Sequence, residues 1–165
     1  MDEKQRIWLR CWGFRIAFVM HLVIVQFLSS DAFAQRNEIF ETAMNNYGHE
    51  TVECAAYFTV VAGVIANTPG REKLVDGYRK QSEVLFQRAV AIAEQIDQKL
   101  EAVAARFEIA SKDMMGTLGG NVANFSILLN KYSDHCVMVS NDVRTRGQYW
   151  IERAKAELEA TKKRR

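Results

Sequence analysis

The stretch FETAMNNYGHETVECAAYFTVVAGVIA, Phe40 to Ala66, decides the fold. Its residues Phe40, Met44, Tyr47, Thr51, Cys54, Phe58, Val61 and Ile65 recur at alternating intervals of four and three. Residues three and four apart share a helix face, so the spacing predicts one continuous apolar seam on a helix from about Asn37 to Ala66. From Cys54 onward, Ala56, Tyr57, Val60 and Val64 make the other faces apolar as well. A helix apolar all round is buried on several sides. This run is shorter than the roughly 20 residues needed to cross a bilayer, so it reads as a core helix.

The same stretch holds His49, Glu50 and Glu53, which resemble half of the zinc-protease pattern H-E-x-x-H but place Glu at the second ligand position. At about 100° per residue, His49 lies opposite the middle of the apolar seam while Cys54 lies close to it. The three polar groups are therefore expected to face water, without the walled pocket and third ligand that a catalytic metal requires. A second metal reading joins His49 or Cys54 to Asp134-His135-Cys136, residue types that suit zinc or copper. No C-x-x-C pre-forms half of such a site, and a disulfide between Cys54 and Cys136 is the preferred expectation.

That pairing rests on the N-terminus. Met1 to Arg15 carries Lys4, Arg6, Arg10 and Arg15 against Asp2 and Glu3, followed by the apolar IAFVMHLVIVQFL, Ile16 to Leu28, and then by Ala32-Phe33-Ala34. A positive start, a short apolar middle and a small-x-small end form a secretory signal over residues 1–34, with cleavage between Ala34 and Gln35. The alternative is an uncleaved inner-membrane anchor, which the shortness of the apolar run disfavours. Cys11 precedes the apolar run, where lipidation signals do not sit. Of 165 residues, removal of these 34 leaves 131, with 18 Lys and Arg against 17 Asp and Glu, and only Cys54 and Cys136 as cysteines. Residues 35–165 are enough for a single domain with its own core. Near-neutral charge does not suggest a nucleic-acid binder, and an even cysteine pair in an oxidising compartment suggests one bond.

The remaining mature chain also reads as helical. Tyr78, Leu85, Ala89, Ile92, Ile96, Leu100, Val103 and Phe107 keep to one face of a long second helix, from about Arg71 to Ala110. Asn121 is a candidate N-cap for a third, whose Val122, Phe125, Leu129, Tyr132, Cys136, Val139 and Val143 alternate three and four apart. The last segment places Trp150, Ile151, Ala154 and Leu158 on one side and ends in Lys162, Lys163, Arg164 and Arg165. Cations suit a helix C-terminus, and that reading is preferred over contact with anionic lipid or nucleic acid. Chain breaks are expected at 66–70, 115–120 and 140–147, with Gly116, Gly119 and Gly120 serving a helix–helix connection. For Cys54 and Cys136 to come level, the long second helix is expected to break near Gly77, because a disulfide needs Cα atoms within about 7 Å.

The expected architecture is therefore an all-α, antiparallel helical bundle of three to four long amphipathic helices with one inter-helix disulfide. No nucleophile elbow, phosphate loop or di-iron E-x-x-H pair is present in the sequence. No catalytic residue, cofactor or metal is expected. The expected role is that of a periplasmic or secreted, non-enzymatic interaction or scaffolding module with a protein partner or a second copy. The alternative is a ligand- or metal-binding bundle, with Tyr47, Tyr57, Tyr132 and Trp150 lining a cavity.

Overall fold

The structure is a computed structural model that describes the backbone of residues 3–164 and the side chains of residues 33–164 other than residue 122. The signal expectation over residues 1–32 and the terminal Arg165 lie outside the described side chains. Of the cleavage expectation, Ala34 and Gln35 are described, and both fall within helix α1. The chain divides into two compact units, Met1–Glu38 and Ile39–Arg165, and the disulfide and the clusters of buried side chains belong to the second. Among the described residues, no helix is long and apolar enough to cross a membrane.

Every regular element among the described residues is helical: α1 (Glu3–Ile65), α2 (Glu72–Glu94), α3 (Leu100–Leu118), a short 3₁₀ turn (Val122–Asn124), α4 (Phe125–Asn141) and α5 (Val143–Lys163). The seam of α1 is buried at Met44, Tyr47, Thr51, Cys54, Phe58 and Val61, while Phe40 and Ile65 emerge at its ends. Thr51 enters the core because its hydroxyl donates to the Tyr47 carbonyl at 2.7 Å. A central cluster of Cys54, Tyr57, Val61, Leu85, Leu128 and Cys136 draws on α1, α2 and α4. A second cluster packs Trp150, Ile151 and Ala154 of α5 against Ala43, Met44 and Ile92. The disulfide Cys54–Cys136 links α1 to α4 across a Cα–Cα distance of 5.1 Å.

The break expected at Gly77 does not occur, and α2 runs straight through it. A Cβ there would meet nothing within 4 Å, so the glycine sits on an open face and costs the helix only about 1 kcal/mol. The break falls instead at residues 95–99. Asp97 adopts φ 53°, its amide donates to Glu94 O at 3.4 Å, and the Gln98 amide reaches back to Ala93 O at 2.9 Å. This pair of bonds is a Schellman cap, with aspartate where glycine is usual. Gln98 Nε2 and Arg106 Nη2 then both donate to Asn45 Oδ1, at 2.8 and 2.9 Å, tying the corner to α1. Splitting the long second helix here, rather than at Gly77, brings the two cysteines together.

The expected third helix also divides. Asn121 Oδ1 accepts from the Ala123 amide at 2.9 Å and heads the 3₁₀ turn, while α4 itself begins at Phe125. Val143 opens α5 and is exposed, because Asp142 stops α4 and caps α5 through Thr145 N at 3.2 Å. Gly119 and Gly120 take positive φ and turn the chain out of α3, which Gly116 does not interrupt.

Candidate functional site

Glu50 is the main correction at residue level. His49 is exposed and Glu53 half-buried, but Glu50 is 6% exposed. It lies four residues before Cys54 and therefore shares the seam rather than the face of His49. Arg146 of α5 grips its carboxylate with two nitrogens, Nε to Oε2 at 3.2 Å and Nη2 to Oε1. Trp150 Nε1 donates to Oε2 at 2.8 Å, and His135 Nε2 of α4 stands 3.2 Å from Oε1. The Arg146 guanidinium also lies 4.2 Å from the Tyr149 ring centroid. A buried carboxylate with this set of donors offsets its lost hydration and joins three helices. It has little left to offer an incoming metal or substrate.

Two of the residues considered for metal binding, Cys54 and Cys136, are joined in the disulfide. His135 is drawn to Glu50, and the exposed Asp134 accepts from Ser133 at 3.4 Å. Among the described residues, no group of three or more His, Cys, Asp and Glu is placed to hold a metal ion. The four aromatic residues considered as cavity walls are core or cluster members. Tyr57 and Tyr132 pair at 5.8 Å between ring centroids, Tyr47 packs with Met44, and Trp150 serves Glu50. Burial, with smaller contributions from Tyr78 and Asp134, pushes the Tyr57 hydroxyl up to about 12. Burial likewise raises Tyr47, partly countered by Arg88.

A groove lies elsewhere, where α1, α2 and α4 meet. Its volume is about 300 Å³. Phe58 and Tyr78 line it with stacked rings, 5.8 Å between centroids and 25° between planes. Leu74 and Val137 add apolar walls that are 44% and 50% exposed, and Gly77 leaves room where any other residue would project. Ser140 also lines the groove, and its hydroxyl is shielded from solvent without a hydrogen-bond partner. Its carbonyl is used, accepting from Arg88 Nη2 at 3.3 Å beside the bond from Nη1 to Val139 O at 2.9 Å. Sequence periodicity does not reveal this site. It depends on which faces of three helices fail to fill the space between them, and a lone mid-helix glycine was its one local sign.

A different surface lies on the outside of α3. Ala102, Ala105, Ile109, Lys112 and Gly116 recur three and four apart, and all are exposed. Comparison with family models, curated proteins and solved structures returns no match to this chain.

Proposed function

We propose that this is a non-enzymatic binding protein of the cell envelope that holds a small organic ligand in the groove between α1, α2 and α4. The observation that carries the reading is that groove, walled by the rings of Phe58 and Tyr78 and edged by the polar side chains of Lys73, Gln81 and Asn141. Small-molecule sites combine apolar walls with a few polar groups in this way, at volumes from about 300 Å³ upward. The helices are read as an antiparallel bundle that keeps the groove open, with the disulfide and the Glu50 cluster stiffening it. Export to the periplasm follows from the signal reading of residues 1–34 and suits a disulfide, which persists in oxidising compartments. Native mass spectrometry of protein recovered from the periplasm, starting at Gln35, should show a fraction carrying a small bound mass. Protein that is always free of added mass and gains none from a metabolite extract would sink the reading.

An interaction or scaffolding role is the second reading, favoured by the outer face of α3. Its 3-and-4 spacing of small and apolar residues suits close approach of a partner helix, and Ile109 is 60% exposed. A photo-crosslinker at Ile109 should capture one envelope protein in cells, whereas the same group at the exposed Glu83 of α2 should not. Capture at neither position, with a strict monomer by light scattering, would remove this reading.

A further inference from the structure

We infer that the ligand of the groove is a small aromatic carboxylate, an inference that rests on the ligand-binding reading above. Among the described side chains that line the groove, Lys73 alone carries a formal charge at neutral pH. It stands in the first turn of α2, where the helix dipole is positive. The two acids beside it in the first turns of α2 each have a local partner. Glu72 Oε1 accepts the Gly70 amide at 3.1 Å, and Asp76 lies 4.0 Å from Arg79 Nη1. The mouth of the groove at this end therefore favours an anion. Further along, the rings of Phe58 and Tyr78 supply an aromatic wall against which a ligand ring packs. Gln81 and Asn141 supply neutral polar groups around the same space. The volume of about 300 Å³ accommodates one ring with a short acid arm.

Two probes of nearly equal shape separate charge from shape: phenylacetate and its neutral analogue phenylacetamide. Titration of the intact protein, followed by NMR, should show phenylacetate binding roughly tenfold more tightly at low salt, with added sodium chloride narrowing the gap. Lys73→Met should bring the two probes to within about twofold of each other. Gly77→Leu fills the groove at a position where a Cβ meets nothing. Because it also replaces a mid-helix glycine, this variant should melt higher than the parent while losing both probes.

Equal binding of acid and amide, unchanged by Lys73→Met but abolished by Gly77→Leu, overturns the carboxylate assignment and leaves a neutral-ligand groove. Binding of both probes undiminished in a folded Gly77→Leu protein overturns the groove as their site. Failure of the parent protein to bind either probe overturns the inference. If native mass spectrometry also finds no bound mass, the wider reading falls with it.

Discussion

Glu50 bears the largest single electrostatic burden in the interior. A carboxylate taken out of water loses several kcal/mol of hydration, and only a full set of donors offsets the loss. Removing one donor therefore costs more than removing the charge. Arg146→Ala should destabilise the protein by about 3–5 kcal/mol in urea unfolding, because the anion stays buried with Trp150 and His135 alone. Glu50→Leu combined with Arg146→Met should recover most of that loss, and a double variant no better than Arg146→Ala would show that the pair is not the cause. Tyr57 offers a test through pH. Its hydroxyl is held protonated to about 12 in the folded chain, against 10.0 ordinarily. Below pH 10 its contribution to stability is fully present. As pH rises from about 10 to 12 the unfolded chain loses the proton first, so stability falls by up to about 1.4 kcal/mol per pH unit from this group. In Tyr57→Phe that part of the alkaline slope should vanish, and an unchanged slope would assign it elsewhere. On sequence alone Glu50 is expected to face water with His49 and Glu53, although it stands four residues from Cys54 on the seam. Its burial was not legible, because a charged residue reads as solvated unless its partners are known, and these lie 96 and 100 residues further along the chain.

The helices themselves were legible wherever apolar spacing persists for several turns, as in α1 and α4. Their breaks were legible where glycine or proline marks them, and within the polar run 140–147, where Asp142 separates α4 from α5. The turn after α1 contains Pro69 and Gly70, with Gly70 at φ 80°, and the turn after α3 contains Gly119 and Gly120. The corner at 95–99 has no such marker, and the apolar face of the sequence continues through it from Ile92 to Val103. Asp97 takes the left-handed conformation there at a cost of roughly 1 kcal/mol, sustained by the Asn45 bonds to Gln98 and Arg106. Gly77 misled in the opposite sense, since on an open face a glycine weakens a helix without ending it. The two positions call for opposite exchanges, since stability rises when glycine leaves 77 and when it enters at 97. Asp97→Gly should raise stability by about 0.5–1 kcal/mol, because it removes the strain of the left-handed residue while the cap bonds remain. A loss of stability, measured as a lower urea midpoint at unchanged slope, would mean that the aspartate side chain itself holds the corner.

At the scale of the molecule, two devices fasten helices onto α1: both reach α4, the second through His135, and only the second reaches α5. The disulfide joins α1 to α4, while Arg146 and Trp150 join α1 to α5 with Ala154 packed beside them. Between α4 and α5 there is only Asp142, which caps α5 through Thr145 N, so little chain separates the two attachments. The disulfide closes a separation of 82 residues, which in the chain-entropy view contributes about 4–5 kcal/mol by restricting the unfolded chain. Its loss should lower global stability without selectively loosening any one helix, because Cys54 and Cys136 lie in a cluster that Tyr57, Leu85 and Leu128 also fill. Loss of the Glu50 pair should act locally, since among the described residues α5 has one buried residue, Ala154, helped by this pair, by partly buried Trp150, Ile151 and Leu158, and by the Tyr47 hydroxyl, which donates to Val143 O at 3.5 Å. Hydrogen exchange followed by mass spectrometry separates the two effects. In the Cys54→Ala, Cys136→Ala protein, protection should fall evenly across α2, α4 and α5, each by the global loss. In Arg146→Ala with the disulfide intact, α5 should exchange well ahead of α4. Equal loss in both helices of that variant would show that α4 and α5 unfold as one unit, and that the Glu50 cluster belongs to the same cooperative core as the disulfide.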